Sequence, residues 1–237
     1  MKIIEKIRRK AEDPHGAEPV TLAFLGDSVT QGCFEVFKDQ NGNIDTVYDI
    51  TSAYHTYVRD ILCTLYPKAP INIINAGIGG GSSVGGFERL HRDVLKFSPD
   101  LVVVAFGLND ATGGLQNLEK YRNAMTGICK TLVENGIEVI VMTTNMMTTS
   151  KGNDESVLEF TEKCANIQNS GVLDEFMKVA AEVSREYGCK LCDCYSKWKK
   201  LSENGVNTDL LLSNGINHPT REMNRMFANS IIETLFE

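Results

Sequence analysis

No stretch of this 237-residue sequence approaches the roughly 20 consecutive apolar residues that a membrane-spanning helix needs. The first ten residues, MKIIEKIRRK, mix charged with apolar side chains and lack the apolar core of a secretory signal. We therefore expect a cytoplasmic protein that has no membrane partner.

The sequence also has no excess of positive charge. Its 24 Lys and Arg residues are outnumbered by 31 Asp and Glu residues, which gives a formal net charge of -7 and a pI near 5.2. The Lys and Arg residues are dispersed, whereas proteins that bind polyanions usually carry a basic patch. This argues against a nucleic-acid partner, and nothing in the pattern indicates an oligomeric state.

A disulfide framework is not indicated either, because the seven cysteines are an odd number and Cys33, Cys63 and Cys129 lie in or beside apolar segments. Reduced thiols packed in a core fit this distribution better. The one cluster, CKLCDC at 189–194, looks like half of a metal-binding knuckle, but no second Cys or His pair stands at ligand spacing. Alternation along a strand explains the cluster as well, so we expect neither a metal nor a cofactor.

What the sequence does contain is a regular alternation of apolar runs and helix-like segments. Strands are predicted at 20–25, 71–75, 101–106, 138–144 and 190–194. Helices are predicted at about 53–66, 84–97, 117–135, 171–187 and 220–235. This order predicts one domain over residues 20–237, a three-layer α/β/α sandwich with a five-stranded parallel sheet, preceded by a helix-like arm of unknown role at 1–19.

Two segments interrupt the alternation. Residues 33–52 carry Asn41-Gly42-Asn43 between two strand-like runs, which predicts a short hairpin. Residues 145–169 begin with Asn145-Met146-Met147 and then become polar, which predicts a loop. We expect both segments to border the ligand cleft and to influence selectivity, although ordinary surface loops would give the same pattern.

Ser28 stands directly after the first predicted strand, in Gly26-Asp27-Ser28, where its hydroxyl would face the cleft beyond the carboxyl ends of the strands. A serine hydroxyl attacks only if a base takes its proton and donors hold the oxyanion that forms. The sequence offers His218 as the base. It offers Gly80, whose backbone can approach a ligand closely, and Asn109, whose amide donates without bringing charge, as the donors.

Each segment has a structural interpretation when it is taken alone. Serines end strands for reasons of turn geometry, glycines 77–81 fit a flexible turn, and Asn109 fits a helix cap. A dinucleotide-binding loop is disfavoured because Ser82 stands where that motif needs its third glycine. Three further histidines are interpreted as surface residues: His15, His55 and His91. In combination, the four segments favour a hydrolytic centre.

Four motifs of this sequence resemble those of the SGNH hydrolases, also called GDSL-type esterases and lipases. The motifs are Gly26-Asp27-Ser28, Asn75-x-Gly77-x-x-Gly80, Gly107-x-Asn109-Asp110 and His218-Pro219, and the similarity extends from about 20 to 235. The resemblance implies a flavodoxin-like hydrolase fold and metal-free ester hydrolysis, with Ser28 as nucleophile and His218 as its base. It also implies an oxyanion hole made by the N–H groups of Ser28 and Gly80 and the side chain of Asn109.

The sequence departs from the family at the acid that supports the histidine. The family commonly has an Asp three residues before this histidine, where Gly215 stands here. Three arrangements remain open: backbone carbonyls orient His218, Asn214 supports it, or a carboxylate such as Asp209 reaches it. A neutral partner would orient the imidazole but would stabilise its positive charge less well, so weak activity would follow.

The resemblance favours a serine esterase that acts on short acyl esters, above all acetyl esters, of a carbohydrate or a similar polar alcohol. Alternatives are an acyl thioesterase or lysophospholipase of the same fold, with Met146, Met147 and Phe34 lining a lipophilic acyl pocket, and a weakly active ligand-binding relative. A flavodoxin-like redox or nucleotide-binding protein is disfavoured because Asp27 would repel an anion at the first loop.

Overall fold

Strands and helices alternate along the residues that the computed structural model describes, 1–152 and 157–237. The strands are β1 Val20–Gly26, β2 Cys33–Lys38, β3 Ile44–Tyr48, β4 Ile71–Gly77, β5 Leu101–Ala105, β6 Glu138–Met142 and β7 Lys190–Cys192. The helices are α1 Lys2–Glu12, α2 Ser28–Gln31, α3 Tyr54–Leu65, α4 Ser83–Glu88, α5 Leu90–Asp93, α6 Leu108–Ala111, α7 Leu118–Glu134, α8 Leu158–Asn169, α9 Val172–Glu186, α10 Cys194–Glu203 and α11 Arg221–Phe236. Short 3₁₀ turns lie at Ile50–Ser52, Leu95–Phe97, Leu115–Asn117 and Thr208–Leu211.

Five strands form one parallel sheet in the order β4-β1-β5-β6-β7. Counted along the chain, this is the flavodoxin-like order 2-1-3-4-5, in which ligands bind at the carboxyl ends of the strands where the order reverses. The reversal lies between β1 and β5, and every residue of β5 is buried, as its continuous apolar run predicted. The predicted five-stranded parallel sheet is therefore confirmed.

Helices cover both faces of this sheet and complete the three predicted layers. Packing places α1, α3 and α11 together on one face and α4, α7 and α9 together on the other. Helix α7 buries the side chains that recur at helical spacing along it. These side chains are Tyr121, Met125, Ile128 and Leu132.

The amino-terminal segment is attached to the domain by helix α1. Ile3 and Ile7 are buried in the core, and the Glu138 carboxylate accepts hydrogen bonds from the backbone N–H groups of Lys2 (3.0 Å) and Ile3 (2.6 Å). The boundary of the domain at residue 20 stays a prediction.

Three predicted elements differ from the structure. The single helix expected at 84–97 is α4, α5 and a 3₁₀ turn, because Gly85 and Gly86 favour helix weakly and Gly86 packs against the Phe106 ring. The strand expected to reach residue 194 ends at Cys192, because Asp193 caps helix α10 by accepting from the backbone N–H of Ser196 (3.1 Å).

The loop expected at 145–169 contains helix α8, and residues 153–156 of it lie outside the described residues. Sequence periodicity missed α8 because its buried face mixes polar and small residues with a single branched aliphatic one. That face consists of Thr161, Cys164, Ala165, Ile167 and Gln168.

His55 is buried, so its assignment to the surface was wrong, whereas His15 and His91 are exposed. Helix α3 turns His55 toward the core, where its ring centroid lies 5.7 Å from that of Phe24. The predicted hairpin is confirmed as the antiparallel pair β2–β3. In the described part of the chain, no helix has the length and apolar character needed to cross a bilayer.

Candidate active site

A cavity of about 470 Å³ opens beyond the carboxyl ends of β1, β4 and β5. It is lined by all five residues that the sequence singled out for the site: Ser28, Gly80, Asn109, Asn214 and His218. The hairpin β2–β3 and the start of α8 supply further lining residues. Both irregular segments therefore border the cleft, as expected.

Ser28 and His218 are directly hydrogen-bonded in this cavity. Ser28 is the first residue of α2, a one-turn helix whose amino end is capped by the Asp27 carboxylate, which accepts from the N–H of Val29 (3.0 Å). The Ser28 hydroxyl oxygen lies 2.9 Å from Nε2 of His218. Residues 190 positions apart in the chain thus meet at the edge of the sheet.

The other ring nitrogen of His218 contacts a backbone carbonyl. Nδ1 lies 2.8 Å from the carbonyl oxygen of Phe34, in strand β2. Because a carbonyl oxygen only accepts hydrogen bonds, Nδ1 carries the proton of the neutral ring. Nε2 is then the unprotonated nitrogen, and it accepts a hydrogen bond from the hydroxyl of Ser28.

Asn214 holds the loop that carries His218 and does not contact the imidazole through its amide. Its side-chain oxygen accepts hydrogen bonds from the backbone N–H groups of Ile216, Asn217 and His218, each at 2.9 Å. Asn145, three residues after β6, donates to the Asn217 carbonyl (2.8 Å) and ties this loop to the segment that leaves the sheet. Sequence analysis placed Asn145 in a loop and missed this contact.

The Asp209 carboxylate is engaged elsewhere. It accepts hydrogen bonds from the backbone N–H of Thr149 (2.7 Å) and from the hydroxyl of Ser150 (2.5 Å). Of the three arrangements left open by the sequence, the hydrogen-bond geometry matches orientation of His218 by a backbone carbonyl.

Burial governs the protonation of the groups around the serine. Burial lowers the pKa of His218 below its usual value, while the hydrogen bond to the Phe34 carbonyl and the negative charge of Glu35 act in the opposite direction. Burial also raises the pKa of the Asp27 carboxyl to about 7. At neutral pH the imidazole is therefore unprotonated and able to accept a proton.

The loop after β4 presents a backbone N–H to the cavity. Gly80 has a φ of +69°, a left-handed conformation that glycine adopts without steric cost. The N–H of its neighbour Gly79 donates to the side-chain oxygen of Gln31 (2.6 Å). Among the described residues, neither the N–H of Gly80 nor that of Ser28 donates to another protein group, so both remain available to a ligand.

Asn109 lies at the same cavity, on the one-turn helix α6. One hydrogen of its amide is donated to the Gly81 carbonyl (2.9 Å), which fixes the orientation of the side chain and leaves the second hydrogen for a ligand. The adjacent Asp110 accepts from the N–H (3.0 Å) and hydroxyl (2.6 Å) of Ser83, at the start of α4. Asp110 therefore fixes the residue at which helix α4 begins, directly after the glycine loop.

Two further residues pack the serine turn against β4, and sequence analysis did not identify their contacts. A side chain at Gly77 would approach the backbone nitrogen of Gln31 to 2.2 Å, so only glycine lets β4 and α2 lie this close. Arg89 donates to the carbonyls of Gly26 (2.8 Å) and Ala76 (2.6 Å), at the ends of β1 and β4. Neither contact has a signal in the local sequence.

The lipophilic lining suggested by the sequence is not the one observed. Met146 and Met147 are buried in the core and Phe34 is buried in the hairpin, and none of the three lines the cavity. The apolar side chains around the serine come from the hairpin and from the start of α8. They are Val36, Ile44, Tyr48, Val157 and Phe160, together with Ile216 of the histidine loop.

Two of the three cysteines in the cluster lie in the interior of the protein. Cys192 and Cys194 are buried with their sulfurs 3.7 Å apart, and within residues 1–152 and 157–237 no group of three His, Cys, Asp or Glu side chains is arranged to hold a metal.

A second cavity, of about 870 Å³, lies under α1 beside Asp100 and Glu138. That is the amino-terminal edge of the sheet, opposite the edge where such folds bind ligands.

Comparison with known proteins agrees with the fold and the motifs. An acetylxylan esterase of Geobacillus stearothermophilus is 32% identical over 89 residues, 38% of this chain and 39% of that protein. A two-domain esterase active on acetylated mannans superposes with a TM-score of 0.71 at 19% identity, over 99% of this chain and 52% of that one. An acetyl xylan esterase, AlAXEase, superposes with a TM-score of 0.67 at 19% identity, over 91% of this chain and 100% of that one.

The chain thus spans only part of the length of the first two relatives, 39% and about half. The structural matches confirm the predicted flavodoxin-like SGNH hydrolase fold. The sequence model of the GDSL-like lipase/acylhydrolase family matches residues 24–226, nearly the whole chain. This chain belongs to the GDSL-like lipase/acylhydrolase family.

Proposed function

We propose that this protein is a serine esterase that hydrolyses short acyl esters, above all acetyl esters, of carbohydrates. The observation that carries the proposal is the pair of hydrogen bonds through one imidazole, from Ser28 to Nε2 at 2.9 Å and from Nδ1 to the Phe34 carbonyl at 2.8 Å. This relay gives the serine a base in the correct tautomer.

In the first half of the reaction, the Ser28 oxygen attacks the acyl carbonyl while its proton passes to Nε2 of His218. The carbonyl oxygen becomes an oxyanion, which accepts hydrogen bonds from the N–H groups of Ser28 and Gly80 and from the free amide hydrogen of Asn109. The ester C–O bond then breaks, and His218 returns the proton to the leaving alcohol. An acyl group remains on Ser28.

In the second half, a water molecule takes the place of the alcohol. His218 removes a proton from this water as it attacks the acyl carbon, and the same three donors hold the second oxyanion. The bond to Ser28 breaks, and the serine oxygen regains its proton from His218. The products are a carboxylic acid and the free enzyme.

The rim of the cavity supports a substrate with an extended apolar or ring-shaped part. Ile44 and Tyr48 of the hairpin and Phe160 of α8 are 46%, 56% and 51% exposed, although each lines the cavity that holds Ser28. Exposed aromatic rings beside polar donors suit the flat faces of sugar rings. The acetyl xylan and acetylated mannan esterases that this chain is similar to also favour an acetylated carbohydrate.

The same rim suits an acyl chain, which keeps a lysophospholipase or acyl thioesterase as the second candidate. A substrate panel separates the two. The panel contains nitrophenyl esters of increasing chain length, acyl-CoA, lysophosphatidylcholine, and acetylated xylo- and manno-oligosaccharides. We expect kcat/KM to be highest for the two-carbon esters and the acetylated sugars; a maximum at eight carbons or more would favour the lipid candidate.

Labelling with a fluorophosphonate followed by peptide mapping tests the nucleophile without the natural substrate. We expect one modified peptide, containing Ser28. Ser28→Ala and His218→Ala should each lower kcat by at least about 10³-fold without unfolding the protein. Ser202→Ala and His91→Ala, outside the cavity, are the matched controls and should keep wild-type turnover. Absence of labelling at Ser28 would contradict the proposal and favour a ligand-binding protein.

A further inference from the structure

Arg221 connects the loop that carries His218 to the hairpin that carries the Phe34 carbonyl, the two segments that meet at Nδ1 of His218. It is the first residue of α11, three positions after His218. Its guanidinium group donates to both carboxylate oxygens of Glu35, at 2.6 and 3.1 Å, and to the carboxylate of Asp49, at 2.9 Å. One side chain beside the histidine loop thus holds both strands of the hairpin.

The three bonds go to two residues of the hairpin region that carries the carbonyl orienting the imidazole. Glu35 follows Phe34 in β2, and Asp49 follows the end of β3. The Arg221 guanidinium also lies over the Phe34 ring, with its carbon 4.4 Å from the ring centroid. The N–H of Asp49 donates to the Gly32 carbonyl at 2.9 Å and closes the base of the hairpin.

The contacts of Arg221 bear on how precisely the Phe34 carbonyl is placed relative to His218. The triad aspartate that the family commonly has stands three residues before the histidine, on the same loop, whereas the Phe34 carbonyl belongs to a two-stranded hairpin outside the main sheet. Its position relative to His218 is therefore only as precise as the placement of that hairpin. A displacement of about 1 Å at a reacting group can cost about 10²-fold in rate.

We propose that Arg221, through Glu35 and Asp49, is a positioning residue that holds the Phe34 carbonyl against Nδ1 of His218. The proposal rests on the proposed esterase function. Arg221 touches neither the imidazole nor the serine in the hydrogen bonds of the structure, and it acts by fixing the hairpin to the start of α11. Its fork of donors suits this task, because one planar group binds two carboxylates in fixed directions.

The positioning role is separable from a role in stability. The side chains of Arg221, Glu35 and Asp49 keep 34%, 42% and 24% of their exposure, and ion pairs so open to solvent contribute little to folding. A purely structural ion pair would lower the melting temperature slightly and leave kcat unchanged. A positioning pair would lower kcat much more than it lowers the melting temperature.

The test compares Arg221→Met with Arg225→Met. Arg225 lies one turn further along α11, with its guanidinium carbon 5.2 Å from the centroid of the Tyr57 ring and away from the hairpin. We expect Arg221→Met to lower kcat and the rate of fluorophosphonate labelling of Ser28 about 10- to 100-fold. Arg225→Met should keep both rates within about twofold of wild type.

A double-mutant cycle and NMR identify the cause. Glu35→Gln should also lower kcat, and adding it to Arg221→Met should cost no more than about twofold further, because both changes release the same contact. In protein labelled with ¹⁵N-histidine, His218 should show a protonated Nδ1 in the wild type and a mixture of tautomers in Arg221→Met. His218→Ala assigns the signal among the four histidines.

Three results would overturn the assignment: wild-type kcat in folded Arg221→Met, multiplicative effects in the cycle, or an unchanged Nδ1 signal. Should Arg221→Met fail to fold, Arg221→Lys decides, since lysine keeps the charge but cannot form the fork, and wild-type kcat in this variant refutes the proposal. The two proposals fail differently. If the wild type hydrolyses esters and is labelled at Ser28, and Arg221→Met behaves in the same way, only the positioning role is refuted. If the wild type is inactive and is not labelled, both proposals are refuted.

Discussion

Gly215 stands where the family commonly carries the triad aspartate, so Gly215→Asp tests whether a carboxylate on the histidine loop would speed the proposed reaction. We expect that it will not. Nδ1 of His218 has a single hydrogen, and that hydrogen is already donated to the Phe34 carbonyl at 2.8 Å. The loop is also held in place by Asn214, which accepts from three successive backbone N–H groups.

The magnitudes favour the existing partner. Moving the Nδ1 hydrogen to a new carboxylate would leave the buried Phe34 carbonyl unpaired, which costs about 1–3 kcal/mol. Gly215 also has a φ of +64°, where an aspartate loses about 1 kcal/mol relative to glycine. Apart from Gly215 and its two neighbours in the chain, no atom of the described residues lies within 4 Å of a Cβ atom placed there, so that atom makes no new contact to offset this loss. The melting temperature should fall by about 2–4 °C.

The assay is hydrolysis of nitrophenyl acetate, combined with thermal unfolding followed by circular dichroism. Gly215→Asn is the matched control, because it has the same shape and a similar tolerance of positive φ but no charge. We expect both variants to keep kcat within about threefold of wild type. A carboxylate that truly reached Nδ1 would do far more, since in a serine triad it is worth about 10⁴ in kcat. A rise of about tenfold or more in Gly215→Asp alone would refute the reasoning.

Three further predictions concern the donors and the histidines. Asn109→Ala should lower kcat about 10²- to 10³-fold, because an oxyanion donor is lost. It should also lower the stability, because the hydrogen bond to the Gly81 carbonyl disappears. Steady-state kinetics measure the first effect and thermal unfolding the second. The acid limb of kcat/KM should lie below pH 6.5, because burial lowers the pKa of His218 from that ordinary value and only the neutral ring accepts a proton; a limb above pH 7 would contradict the burial argument. His55→Phe should make the folding stability less sensitive to acid. Burial lowers the pKa of His55 to about 4, so between about pH 6.5 and 4 the unfolded chain binds a proton that the folded chain excludes. The folding stability of the wild type therefore falls by about 3 kcal/mol as the pH is lowered across that window. Denaturant titrations at pH 7.5 and 4.5 should therefore differ less in the variant than in the wild type.

The features that sequence analysis predicted correctly are those that local patterns encode. Several of the five parallel strands, such as β5, are nearly continuous apolar runs, and α7 follows from the regular spacing of its buried residues. The glycine requirement at Gly80 also has a local cause, its positive φ, whereas the requirement at Gly77 comes from the approach of Gln31. These patterns led to the sheet edge at which the site residues gather.

The features that it missed depend on contacts between distant parts of the chain. Orientation of His218 by backbone carbonyls was one of the arrangements left open, but the sequence did not show which carbonyl: the partner lies 184 positions away, and a carbonyl leaves no mark on the identity of its residue. The burial of His55 depends on which face of α3 turns to β1, which its helical spacing alone did not decide. Helix α8 was missed because its buried face is mostly polar or small.

A carbonyl partner and a carboxylate partner make different demands on the proposed reaction. Both accept the Nδ1 hydrogen and set the tautomer, but only the carboxylate brings a full charge to stabilise the imidazolium that forms when Ser28 attacks. In this chain a negative charge that acts on His218 belongs to Glu35, and Arg221 binds that carboxylate. Burial keeps the ring neutral and ready at neutral pH, yet it also makes the imidazolium costly. The balance suits esters better than amides, because an alkoxide is a better leaving group than an amide anion and its departure needs less proton transfer from the imidazolium.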